Sequence, residues 1–135
     1  MISKRRSTKR IENQDRAPEV ILDFEYDNNN GLLFVIIENI GASSAYRVSV
    51  KFNKEITGIH GERKITEMNI FKYLEFLPPR KKIRIFVDIF SSYLIREQPL
   101  LITTTILYSN KNNQKFQDVI EHNLSIYKDM IDIKD

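Results

Sequence analysis

The sequence predicts an all-β fold, an antiparallel β-sandwich of about seven strands. Three observations carry this. From Glu19 onward, short apolar runs with a period of two alternate with clusters of Asn, Gly, Ser and Pro. No convincing helical stripe occupies the interior of the chain, and the run 100–108 is β-branched and helix-averse. Finally, 135 residues with 41% hydrophobic and 29% charged side chains suit one ordinary globular domain.

The elements follow in order. In residues 19–26, Val20, Leu22, Phe24 and Tyr26 share one face of a half-buried strand. Asn30-Gly31 then signals a hairpin, because both residue types tolerate positive φ. Residues 32–38 are apolar on both faces, as in a central strand, and residues 39–44 form a second connection. In residues 45–52, Tyr46, Val48, Val50 and Phe52 are expected to point inward, and Arg47, Ser49 and Lys51 outward. Residues 54–73 are weakly patterned, with an edge strand expected around Ile65. Pro78-Pro79 with Arg80-Lys81 marks a turn. The strand over 82–90 should place Ile83, Ile85, Val87 and Ile89 on one face. Residues 100–108 form another strand, 109–114 a turn, and 115 to about 126 a returning strand. Phe116, Ile120, Leu124, Tyr127 and Ile131 also fit a helical stripe, but an antiparallel partner for the preceding strand is the preferred reading.

Charge divides the chain. Residues 1–17 hold six basic side chains against two acidic ones, a net of +4, which leaves fifteen against sixteen in residues 18–135. The domain organisation is therefore a disordered basic tail over 1–17, a near-neutral sandwich over 18–127 and a C-terminal tail over 128–135. No apolar run approaches the ~18 residues needed to span a bilayer, and no apolar segment follows the N-terminal charges. The chain as it stands is expected to be cytoplasmic, unless it is excised from a longer membrane-anchored protein.

The segment 37–52, with Asn39, Gly41, Ala45, Val48 and Val50 in the pattern N-x-G-x-x-x-A-x-x-V-x-V, resembles the B–C region of small bacterial immunoglobulin-like domains, including the cell-adhesion-related (CARDB) group. Residues 74–86 resemble the leucine, proline, small loop, strand passage of those domains, and Tyr108 resembles the tyrosine ending their penultimate strand. The resemblance covers most of residues 19–127 and implies an immunoglobulin-like sandwich in which Gly41 permits a turn and Ala45 a close sheet contact. Arg80 departs from it, standing where those domains usually have Gly.

Chemistry is sparse. With no cysteine there is no disulfide, thiol nucleophile or cysteine-based zinc site. His60 has Glu62 two residues on, but a zinc site needs a further ligand, so His60 reads as a surface-loop histidine. His122 reads as a partly exposed residue of the last strand. Asp27, Asn29 and Glu38 match three EF-hand positions, yet Leu32 stands where the loop requires glycine. Asp88 and Asp118 lie in alternating strands without distinctive spacing, and Asn39–Gly41 is followed by a strand rather than the helix a phosphate loop requires. No cofactor or metal is expected.

The leading expectation is a non-enzymatic interaction or structural module with a protein partner. Its contact is expected by strand addition at an edge or through a loop patch such as residues 56–62. A second reading gives Lys4, Arg5, Arg6, Lys9 and Arg10 an anion-binding role toward nucleic acid or anionic lipid. A third notes that Arg6-x-x-x-Arg10 resembles the arginine motif of PilZ domains, receptors for cyclic di-GMP. The second PilZ element is not reproduced, since Gly41 stands where it requires Ser.

Overall fold

The computed structural model describes residues 16–132. Seven strands build the body: β1 (Val20–Asp27), β2 (Leu32–Asn39), β3 (Ala45–Phe52), β6 (Leu74–Leu77), β7 (Lys82–Ile89), β8 (Leu101–Ser109) and β9 (Lys115–Asn123). Two further strands, β4 (Thr57–Gly58) and β5 (Arg63–Lys64), make a small separate hairpin. Helix α1 spans Phe90–Ile95 and α2 spans Lys128–Asp132. A three-stranded sheet, β1-β2-β7, faces a four-stranded sheet, β6-β3-β8-β9, and every pairing is antiparallel.

The core lies between the sheets. Val20, Leu22, Phe24 and Tyr26 of β1 are all buried, as their alternation predicts. Leu33, Val35 and Ile37 of β2 meet Val48, Val50, Ile102 and Ile106 of the facing sheet within one cluster. Ile36 lies on the other face of β2 and is still only 5% exposed, in keeping with its place in the middle of its sheet.

Two bulges change the expected phase. In β3 the register to β8 shifts between Tyr46 and Ser49, and Arg47 takes the left-handed φ of 53°. Ala45 therefore points inward, while Tyr46, expected inside, lies outward and tilts against Phe76 at 5.4 Å. In β7 the register shifts between Phe86 and Asp88, leaving Val87 as the extra residue. Asp88 is thereby turned fully inward, and Ile89, expected inside, is 39% exposed.

The strand expected to reach residue 126 ends at Asn123, whose side chain accepts from the Ser125 amide and starts a 3-10 turn over Leu124–Tyr127. The segment expected as a C-terminal tail begins with α2, and Met130 and Ile131 pack against the core. The edge strand expected around Ile65 is replaced by β5 and a 3-10 turn over Ile65–Glu67.

The strand directions give the sandwich two ends. One gathers the chain at 17–19 and the turns 40–44, 78–81 and 110–114. The other carries the 28–31 turn, the excursion 53–73, α1 and the C-terminal turns. Tyr26, Phe90, Tyr93 and Tyr127 plug the second end with centroid spacings of 5.4 to 6.3 Å.

Candidate functional site

The structural turn residues fall where they were expected, with two changes of role. Of Asn30-Gly31, only Gly31 is left-handed (φ 72°), because the loop has four residues and both amides bond the Asp27 carbonyl. Gly41 serves close approach: a Cβ there would lie 2.4 Å from the Ala17 carbonyl oxygen and 2.5 Å from the Glu19 nitrogen. Asn39, fully buried, accepts from the Glu19 and Gly41 amides and donates to the Ser43 and Leu77 carbonyls, at 2.9–3.1 Å. This one side chain ties the start of the sandwich to β6 and the 40–44 turn. Arg80, where glycine was expected, does adopt a glycine-like φ of 65°. Lys4, Arg5, Arg6, Lys9 and Arg10, in both their anion-binding and PilZ-like readings, lie outside the described residues.

The candidate acidic and histidine residues separate. Asp27 is used within its own turn, held below the usual carboxylate range by the Asn29 amide and the Asn30 side chain. Glu38 sits at the far end of β2, so these groups do not converge. Among the described residues no three His, Asp or Glu side chains are placed to hold a metal. Asp118 accepts from the Tyr108 hydroxyl at 3.1 Å, and burial first, then the Asp118 charge, pushes the phenol's pKa upward. His122, expected partly exposed, is buried (8%) edge-on to Phe24 and bonds Thr104 at 2.9 Å; burial lowers its pKa despite the charge of Asp23.

One constellation stands apart, at the β4–β5 hairpin. Ile59, His60 and Gly61 have successive φ values of 52°, 56° and 92°, and the Gly61 and Glu62 amides bond the Gly58 and Ile59 carbonyls. This is a left-handed turn made largely from L-residues, and each such residue costs about 1–2 kcal/mol. A β-branched isoleucine at this φ is rare enough to demand a cause in its surroundings.

That cause is visible. The Ile59 amide bonds the Val87 carbonyl at 2.9 Å, and both carboxylate oxygens of Asp88 face the His60 amide at 3.3 Å. Asp88 also accepts from the Ile89 amide and is paired with Arg96. The Arg96 guanidinium in turn bonds the Thr57 hydroxyl (2.6 Å) and carbonyl (3.0 Å), while its Nε is buried without a partner. Gly58 packs so closely that a Cβ would reach within 2.0 Å of the Val87 carbonyl oxygen. The bulge in β7 thus supplies the inward carboxylate that fastens the turn.

On the surface above this anchor, His60 Nδ1 lies 3.0 Å from the Ser92 hydroxyl. The distance suits a nucleophile and base, but the carboxylate that would orient the imidazole contacts the His60 backbone instead and is paired with Arg96. Ile95, one helical step (i, i+3) from Ser92, is 80% exposed. His60, Ser92 and Ile95 therefore frame a surface of polar tips and bare aliphatic carbon. Sequence reasoning singled out residues 56–62 as a loop patch and weighed Asp88 only as a strand carboxylate; it missed Ser92 and Arg96, and no local pattern connects any of the three to the patch.

Three antiparallel strands facing four, with the chain crossing between sheets after β2, β6 and β7, define an immunoglobulin-like β-sandwich. The chain belongs to the family described as Domain of unknown function (DUF8453), whose model matches residues 1–128. No curated protein matches it. Among the described residues no helix is long and apolar enough to cross a membrane.

Proposed function

We propose that this domain is a non-enzymatic interaction module that engages a protein partner through the His60 turn and the exposed face of α1. The observation that carries the reading is the run of left-handed residues Ile59-His60-Gly61, locked by a buried carboxylate rather than relaxed into an ordinary hairpin. Strain of this kind persists where the surroundings over-determine it, and it is concentrated at functional positions. A locked loop also loses little conformational entropy on binding. The chemistry on offer is a hydrogen-bonding His60–Ser92 tip beside the bare Ile95 side chain, which suits a protein segment that brings one apolar anchor and one polar group. The resemblance of residues 37–52 to the CARDB-like group supports the same reading, since its motif residues here are structural and carry no chemistry.

The test is selection of binders to the immobilised full chain from a random peptide library, followed by titration against Ile95→Asp and His60→Ala. Both positions are exposed, so the fold should be retained. Selected peptides are expected to lose about tenfold or more in affinity on Ile95→Asp, the loss typical of an anchor residue. Peptides that bind both variants as well as the parent would place the interaction elsewhere and overturn the proposal.

A further inference from the structure

The near-neutral sum over residues 18–135 conceals a segregation. Arg47, Arg80, Lys81, Lys82, Lys111 and Lys115 are far apart in sequence, yet the sheet registers bring all six to the end of the sandwich opposite the His60 turn. All six are exposed; Glu19, Glu38 and Glu75 lie at the same end, Glu38 opposite Lys82 and Glu75 across from Arg47 in register, so cations outnumber these carboxylates two to one. The hydrogen bonds that join these turns are backbone or buried ones: Arg80 N to Asn39 O at 2.7 Å, Asn39 N to Lys81 O at 3.1 Å, and Ile40 N to Glu19 O at 2.8 Å. The Arg47 guanidinium also donates to the Ser109 hydroxyl and the Asn113 side chain, both at 2.6 Å, which ties β3 to the 110–114 turn; the cations are thus carried on a fixed platform.

Two details indicate that this charge is used. Arg47 and Arg80 both hold left-handed backbone, where glycine would relieve strain, so two of the six cations stand at positions that disfavour any side chain. Between the 78–81 turn and the start of the sandwich stands Ile40, half exposed, in a loop that continues only with Gly, Ala and Ser. An aliphatic tip beside the Arg80-Lys81 turn matches an anionic lipid surface, where headgroups meet the charges and the interfacial region takes the side chain. A nucleic-acid duplex would use the same cations against phosphate but offers Ile40 no comparable environment. The first described residues lie at this end, so Lys4, Arg5, Arg6, Lys9 and Arg10 precede it directly in sequence.

We propose that this pole, through Arg47, Arg80, Lys81, Lys82, Lys111 and Lys115 with Ile40 beside the 78–81 turn, docks the domain onto an anionic lipid surface. The inference is independent of the His60 turn, which would remain free to face a partner.

Co-sedimentation of the full chain with phosphatidylcholine vesicles, with and without 30 mol% phosphatidylserine, tests it. The probe concentrations and ionic strength are matched in a parallel titration with a labelled DNA duplex. Binding to the anionic vesicles alone is expected, weakening with salt. Lys81→Glu/Lys111→Glu/Lys115→Glu should weaken it about a hundredfold or more, following the contribution of each cation near an anionic surface. Ile40→Ser should weaken vesicle binding about tenfold, as loss of a buried aliphatic side chain implies. A far-ultraviolet spectrum and urea midpoint equal to the parent's establish that each variant is folded. The proposal is overturned if the triple variant sediments like the parent, or if neutral vesicles bind equally. It is also overturned if only the DNA duplex binds. Loss of binding when Lys4, Arg5, Arg6, Lys9 and Arg10 are replaced by Gln, with the triple variant unaffected, would overturn it as well.

Discussion

The two ends of the sandwich solve the same problem, holding loops against the ends of strands, by opposite means. At the basic end short turns are joined by one neutral side chain, Asn39, whose four hydrogen bonds are all satisfied. At the other end a long excursion is fastened by an ion pair, Asp88 with Arg96, in which one side chain is 1% exposed and the other 21%. The neutral clasp leaves the surface charges of its end free to act together. The ionic clasp consumes its charges internally and holds the Ile59–Gly61 backbone in a conformation it would not choose alone. One end presents an electrostatic field; the other presents a shape.

The contrast is broken most directly at the ionic clasp. Arg96→Met strands a buried carboxylate and is expected to destabilise the fold by about 3–5 kcal/mol, read from urea unfolding. Adding Asp88→Leu to it should recover most of that loss, because the cost lies in the uncompensated charge. Recovery would restore the urea midpoint without restoring the left-handed turn. At the neutral clasp, Asn39→Ala leaves buried amides and carbonyls without partners and should cost about 2–3 kcal/mol in the same assay.

His122 adds a pH dependence that belongs to neither end. Its folded pKa is depressed by burial, so below the ordinary value of 6.5 the unfolded chain takes up the proton more readily. Stability should therefore fall as pH drops from 7 through the mid-6s and be flat above that range. His122→Gln, which keeps a group able to bond Thr104, should remove this step. Smaller effects sharpen the contrast. Arg80→Gly should stabilise the fold by about 0.5–1 kcal/mol through relief of its backbone, while weakening anionic-vesicle binding about fivefold. Arg84→Ala, which removes a guanidinium 3.7 Å above Phe34 and an exposed pair with Glu25, should cost less than about 1 kcal/mol.

The legible parts of the sequence were those where period two runs unbroken. In β1 every inward residue follows from alternation, and the pairing of β8 with β9 follows from β-branched content and a short turn. Alternation misleads at Tyr46 and Ile89 because each lies beside a bulge, and a bulge advances the chain one residue without any local mark in residue type. The carboxylate of the candidate site hides for the same reason: Asp88 reads as an outward residue until Val87 is taken out of register. The left-handed turn is harder still, since its usual sign is Gly or Asn, and Ile59 and His60 are neither. Arg96 becomes its anchor only through α1, a six-residue helix too short to show a period. Charge behaves similarly, for a sum over residues 18–135 cannot show which turns share an end.

Amide hydrogen exchange at His60, compared between the parent and Arg96→Met under conditions where both are folded, tests the central claim most directly. His60 is an exposed residue whose amide points at a buried carboxylate. Protection of about a hundredfold or more is predicted in the parent, lost in the variant while β2 and β8 amides stay protected. Exchange at the unprotected rate in the parent would contradict the claim, because the turn would then be an ordinary mobile loop with nothing held in readiness for a partner.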